Sequence, residues 1–343
     1  MLEKRLLGVI DATAFHEGLQ ELTLHRSPAA IPFGGRYRLI DFVLSNMVNS
    51  GIQSVAIFPK YQYRSLMDHL GSGRNWDLNR KRDGLFFFPS PRLDHPVTGV
   101  GPLDHFAANI DFFKRSEQEY TLITNACTIF NTHFFPVLEW HIASGCDITA
   151  IRKGGVSLGM YLLKTSLLRE LIETRHETGY LSVRDAATDP NSPLSLCSYP
   201  YEGYAAMIDS VDTYFSASMD LFEPEVWNQL FPRERPILTK VKDEPPTRYA
   251  REAYVHNTMV ANGGLIEGTV ENSIIARGVK IGKGAVVRNC IIMQKSKIEE
   301  NCIVEGAILD KDVKVERGAH IKASGKKPYV VRKGTVQGAW MNS

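Results

Sequence analysis

Apolar and polar positions along the chain follow two rhythms, and the change falls near Phe231. Before it, short runs of Val, Ile and Leu alternate with stretches of helical period. That pattern predicts an α/β domain whose mostly parallel sheet is covered on both faces. Leu6, Leu7, Val9 and Ile10 open it as a buried strand, and Ser54–Pro59, Tyr120–Phe130, Asp147–Ile151 and Ser157–Leu163 predict further strands. Leu85–Pro89 reads as another buried strand. A polar helix is expected around Gln62–Leu70, and a second over Val137–Gly145, with Gly145 placed to end it. Thr165–Glu177 reads as an amphipathic helix that begins at a Thr/Ser cap.

The stretch Pro232–Tyr249 is rich in proline and charge and suits a connection between domains. Beyond it aliphatic residues recur in steps of six: Ile275, Ile281, Val287; then Ile292, Ile298, Val304; then Leu309, Val315, Ile321. A step of five separates successive triplets. Small or aliphatic residues stand four places after them, at Val279, Ala285, Ile291, Ser296, Cys302, Ile308, Val313 and Ala319. Sustained sixes predict a parallel β-helix, whose stacked coils bury one aliphatic residue per face. Asn272, Asn289 and Asn301 fit corners of left-handed backbone. The domains expected are an α/β unit over 1–232, a linker over 233–253 and the β-helix over 254–343.

Composition narrows the picture by exclusion. A length of 343 residues, 43% hydrophobic and 23% charged, is that of an ordinary globular chain with room for two domains. A net charge of +2 gives no reason to expect nucleic acid or a membrane as partner. No run is long and apolar enough for a membrane span, and no leader is visible. The five cysteines are scattered and never in a CxxC pair, so neither structural zinc nor a disulfide framework is expected. A reduced, cytoplasmic setting is the expectation. Cys290 and Cys302 read as small buried residues. His69, His133 and His141 lack a carboxylate cluster at ligand spacing, and His141 reads as a packed core residue.

One feature sits badly in a nucleotide-binding scaffold. Between the first strand and "IPFGGRYRLIDFVLSNMVNSGI" an α/β domain of this class needs a glycine-rich loop, yet the chain has "VIDATAFHEGLQEL". Together with the hexapeptide repeats, the stretches "IPFGGRYRLIDFVLSNMVNSGI", "GSGRNWDLNRKRDGL", "NIDFFKRSEQEYTLI", "SLGMYLLKTSLL", "EGYAAMIDSVDTYFSASMDLF" and "PPTRY" resemble ADP-glucose pyrophosphorylase. That enzyme makes ADP-glucose from ATP and glucose 1-phosphate. The resemblance runs through nearly the whole chain. It implies an α/β, Rossmann-like nucleotidyltransferase (GT-A-like) domain followed by a left-handed parallel β-helix of hexapeptide repeats.

Such chemistry brings two polyanions together. It needs backbone donors around the triphosphate, a cation for the developing charge, and Mg²⁺ held by carboxylates. In the catalytic family these are a GGxGxRL loop, a Lys before "PFGG", one Asp in "SGDH" and another in "EGYWKDVGT". Here the loop keeps Gly18 but adds Asp11 and Glu17, and Pro28 stands at the Lys. Cys127 replaces the first Asp and Met207 the second, with Ala206 at the neighbouring Lys. The "GTADA" nucleotide stretch reads "GPLDH" (Gly101–His105), and the excursion that contacts the sugar phosphate is cut to "RKGGV". Asp209, two residues past the lost Asp, has no partner Asp at Cys127. Losing even one charge-stabilising donor costs about 10²–10³ in rate, so no catalytic residue is assigned.

The pattern resembles the shorter, modulatory D-type subunit of glucose-1-phosphate adenylyltransferase from Gram-positive glycogen operons. The resemblance implies a regulatory subunit that joins the catalytic subunit in a heterotetramer, or a homo-oligomer when alone, and raises its activity. Mg²⁺ and ATP are then expected on the catalytic partner, with no cofactor held tightly by this chain. Basic residues before "KPAV" and in "GGKYRI" hold regulatory anions in relatives; His25, Arg26 and Arg38 match them as candidate anion-binding residues. The bland alternative pairs Arg38 with Asp41 and leaves Arg26 solvated. Competing functions are a weakly active adenylyltransferase with rearranged ligands and a stand-alone sensor of a sugar phosphate or nucleotide.

Overall fold

The computed structural model describes residues 5–90, 99–325 and 327–338. Strand β1 (Leu6–Ala12) is followed by a small hairpin of β2 (Pro32–Phe33) and β3 (Tyr37–Arg38). Then come β4 (Ser54–Pro59), β5 (Gly84–Phe87) and β6 (Tyr120–Asn125). A short β7 (Thr128–Phe130) precedes β8 (Ile148–Lys153), β9 (Val156–Lys164), β10 (Leu196–Pro200) and β11 (Ala205–Met207). The main sheet runs β10-β8-β9-β6-β1-β4-β5, parallel except where β9 runs against β6 and β8. Strand β1 is buried along its length because both faces of the sheet are covered. Its side chains alternate between two cores: Leu6, Ile10 and Ala12 join Val43 and Met47, whereas Leu7 and Val9 join Phe106 and Phe113.

Several local expectations change. Tyr120–Phe130 is two strands, because the Asn125 side-chain oxygen accepts from the Cys127 N–H (2.8 Å) and the Thr128 hydroxyl (3.0 Å). That turn ends β6 and sends β7 into a ribbon with β11. The Phe residues of β5 are half-buried, since β5 is the edge of the sheet. Thr165 does not cap the helix Thr165–Glu173; its hydroxyl meets that of Thr121 in the core at 2.9 Å. Two of the scattered cysteines are joined. Parallel pairing of β8 with β10 brings Cys146 and Cys197 together across 51 residues, Cα atoms 6.0 Å apart, in a disulfide. Sequence spacing carries no trace of a contact made by strand order.

The dense run of specific residues in "RLIDFVLSNMVNSG" is architectural. Its helix, Leu39–Asn49, is held by a capping box in which Asp41 accepts from the Arg38 N–H at 2.9 Å. Ser45 accepts from the Leu238 N–H, Asn46 bonds Phe130 and Thr132, and Ser50 accepts from the Phe134 N–H. One helix thus positions the ribbon, the following turn and the linker.

The first coil of the β-helix is β12 (Arg248–Tyr249), β13 (Tyr254–His256) and β14 (Met259–Val260). Strand β12, inside the stretch expected to be linker, pairs with Leu265–Ile266 as part of the first face. Later coils stack on these in three parallel sheets, forming the left-handed β-helix. The nine aliphatic residues spaced by six and five all point inward. Cys290 and Cys302 are buried with them, and Asn272, Asn289 and Asn301 take corners at φ 45°, 50° and 56°. Ile291 and Ile308 do not. Because Ile292 and Leu309 face inward, strand alternation turns their neighbours out, and Cys290 and Ala307 fill the interior instead. With Ile274 they form an outward stripe packed on Phe33, Phe42 and Tyr214 of the α/β domain. The β2–β3 hairpin leans on the same coils: a Cβ on Gly35 (φ +75°) would lie 3.5 Å from the Ile275 carbonyl.

No helix among the described residues is long and apolar enough to cross a membrane.

Candidate functional site

Open α/β sheets take their ligands beyond the carboxyl ends of the strands, where strand order reverses. Here that point lies between β1 and β6, since β4 and β5 extend one way from β1 and β6 the other. Two polar side chains stand there in register, Asp11 and Asn125. Both are turned onto the protein itself. Asp11, 3% exposed, accepts from the Thr13 N–H (2.9 Å), the Thr13 hydroxyl (2.6 Å) and the Gly101 N–H (2.9 Å). Burial raises its carboxyl above the usual range against the pull of those bonds. Asn125 donates to the Leu158 carbonyl at 2.7 Å.

The two positions at which the catalytic family carries its metal-binding Asp residues, here Cys127 and Met207, lie on neighbouring segments of the ribbon. Met207 pairs with Thr128 across the ribbon, and the Ile208 N–H donates to the Cys127 carbonyl at 3.0 Å. Around them lie Leu19 and Leu22 from the rewritten loop, buried in one cluster with Cys127 and Ile208. Burial, then the nearby Asp11 and Asp209, push the Cys127 thiol up to about 12, so it stays protonated at neutral pH. Asp209 accepts from the Thr213 hydroxyl at 3.1 Å beside the N-cap Ser210. Gly18 survives for space: a Cβ there would come within 2.9 Å of the Asp209 carbonyl. Pro28 begins a short turn, Pro28–Ala30, and has no donor to offer.

Magnesium demands hard oxygen ligands in near-octahedral array. These residues do not fit it: a protonated thiol, a thioether, one carboxylate already taken by three donors and one held in a helix cap. No set of three or more His, Cys, Asp or Glu among the described residues is arranged around a metal. What the crevice can do is pack, and it presents Phe15, 58% exposed, where a phosphate loop would open.

A second constellation lies at the junction of the domains. Arg26 is not solvated: its Nη2 donates to both oxygens of Asp310 at 2.7 and 3.0 Å, and both side chains are 3% exposed. The Arg38 guanidinium donates to the Ser65 carbonyl (2.6 Å) and hydroxyl (3.0 Å), whereas Asp41 takes the Arg38 N–H and a contact from His69 at 2.5 Å. Burial, opposed by Asp41, lowers Arg38 to about 10. Burial, then Arg38 and Arg26, bring Lys311 down to about 7 against the pull of Asp310. Lys242 is lowered by burial, then Arg277 and Arg38; Arg277 by burial and then Arg36. The structure thus gathers Arg26 and Arg38 with Lys242, Arg277 and Lys311, and leaves His25 exposed beside them in sequence. Sequence reasoning missed the last three because they lie in the linker and β-helix. The one visible signal was the charge run "KVKDE".

Residues 17–157 match the nucleotidyl transferase family, and residues 245–332 match the GlmU-like C-terminal hexapeptide family. The chain is 52% identical over 343 residues to the glycogen biosynthesis protein GlgD of Bacillus subtilis (strain 168), covering all of both. It belongs to the GlgD family. The GlgD of Geobacillus stearothermophilus is 60% identical over 338 residues, 98% of each chain. The glucose-1-phosphate adenylyltransferase of the same organism is 29% identical over 328 residues, 84% of each. A GlgD chain is therefore a distant relative of the adenylyltransferases along most of its length.

Proposed function

We propose that this GlgD-family chain is a non-catalytic, regulatory subunit of ADP-glucose pyrophosphorylase that activates and stabilises the catalytic subunit, in a cytoplasmic heterotetramer. The observation that carries the proposal is the paired loss at the ribbon: Cys127 is buried in an apolar cluster with Leu19, Leu22 and Ile208, and Met207, paired with Thr128 on the neighbouring strand, is an exposed thioether. A site with neither carboxylate lacks the ligands and the charge that phosphoryl chemistry needs. Relatedness to the adenylyltransferases over 84% of the chain supports an origin as their partner. The decisive experiment is ADP-glucose formation from ATP and glucose 1-phosphate with Mg²⁺. It is run on this chain alone, on the catalytic subunit of the same genome alone, and on both co-purified. The chain alone is expected to be silent and the mixture to exceed the catalytic subunit. Turnover by this chain at a comparable rate would overturn the proposal in favour of a rearranged enzyme.

The cationic junction favours one refinement. The side chains of Lys242, Arg277 and Lys311 make no hydrogen bond or ion pair among the described residues; Arg38 lies near Lys242 and Lys311, Arg36 near Arg277, with Glu244 and Asp310 as the nearby opposite charges. Clustered cations that repel one another are relieved by a polyanion. We assign the junction to a phosphorylated metabolite, with Arg26 holding the domains together and Arg38, Lys242, Arg277 and Lys311 facing the ligand.

A further inference from the structure

The switch-point crevice is filled from within. Asp11 lies near the end of β1 with no lysine or arginine among the described residues paired to it, an expensive way to bury a carboxylate. What it does there is visible in its donors. The Thr13 N–H belongs to the loop that leaves β1, and the Gly101 N–H belongs to a segment on the other side of the crevice. Gly101 (φ +78°) is itself a hub: its carbonyl accepts from the Val183 N–H at 2.9 Å, and Leu103 two residues on donates to the Leu181 carbonyl at 2.9 Å. One carboxylate therefore ties β1, the rewritten loop, the helix Leu103–Ala107 and the 181–187 segment. Two backbone N–H groups from opposite walls, Thr13 on Oδ1 and Gly101 on Oδ2, form a two-sided cradle for a carboxylate. In this chain the anion is covalently attached.

We infer that Asp11 is a built-in ligand: its carboxylate occupies the anion cradle formed by the Thr13 and Gly101 N–H groups, closing the crevice and excluding nucleotide phosphates. The inference rests on the reading of the crevice as non-catalytic, but it concerns this chain alone and is tested without turnover. Asp11→Ala opens a space the size of the lost carboxylate and leaves both N–H donors unsatisfied. Formate restores those atoms without excess. Acetate carries an extra methyl that the buried site does not accommodate.

The experiment is the melting temperature of the full chain and of Asp11→Ala in sodium formate, acetate and chloride at equal ionic strength. In chloride the variant is expected to melt lower by on the order of 5 °C. Formate should recover most of that shift, acetate little, and the wild type should not distinguish the three salts. A variant that melts with the wild type, or that formate helps no more than chloride does, would overturn the inference. If Asp11→Ala folds only with formate present, that dependence supports it. If the variant folds in none of the salts, amide exchange at Gly101 and Thr13 in Asp11→Asn decides the matter. Acceleration of both amides relative to the rest of β1 is expected, and unchanged protection would overturn the assignment. Failure here leaves the turnover experiment untouched, so the two proposals fall separately.

Discussion

At the scale of single residues, the chain shows how differently a charged group behaves when its partner is distant in sequence. Arg26 and Asp310 are separated by most of the chain, yet they form a buried ion pair. Removing one member leaves the other charged and dehydrated, so Asp310→Ala should cost about 3–5 kcal/mol. Replacing both with apolar residues, Arg26→Met with Asp310→Leu, should recover most of that loss. Chemical denaturation of the two variants measures it, and a double variant no more stable than Asp310→Ala would show that the cost is not that of an unpaired buried charge. Arg38 teaches the same lesson more mildly. Its proximity to Asp41 was legible, but the structure uses the Arg38 backbone for that contact and sends the guanidinium to Ser65.

At the scale of elements, periodicity predicted the β-helix almost residue by residue, because each inward position obeys a local rule that repeats coil after coil. The exceptions are Ile291 and Ile308. Nothing in a six-residue spacing says that one outward position per coil is covered by another domain. Ile308→Ala should cost about 2–5 kcal/mol, as for a core truncation, although the residue lies outside the β-helix interior. Calorimetry should also show the two domains beginning to unfold separately. A neutral Ile308→Ala with one unchanged transition would mean that the stripe does not couple them. The split of Tyr120–Phe130 into β6 and β7 has a similar cause. A side-chain turn at Asn125 overrides a continuous apolar run.

At the scale of the whole molecule, the junction makes a pH prediction. Lys311 has its pKa lowered to about 7 in the folded chain, against about 10.4 when unfolded. Below about 7 it is charged in both states, and folding bears the cost of burying that charge near Arg38, Arg26 and Lys242. Between the two values only the unfolded chain holds the proton, so stability rises with pH. Lys311→Met should flatten that rise. A phosphorylated sugar bound at the junction should stabilise the chain most below about pH 7 and less as Lys311 loses its charge. Thermal melts across pH, with and without the ligand, read both effects. Ligand stabilisation independent of pH and of Lys311 would place the anion elsewhere.

Sequence alone determined the two-domain architecture, the repeat and the positions at which the chain departs from the adenylyltransferase motifs. Strand, helix and coil periods are local properties, and a missing carboxylate is missing wherever the chain folds. Only the tertiary structure decided that the segments of Cys127 and Met207 lie side by side in one ribbon, that Asp11 turns inward onto Gly101, and that Cys146 reaches Cys197. It alone decided that cations from the loop, linker and β-helix meet at one junction. Each of these depends on strand order and domain docking, which bring together residues that no local pattern relates.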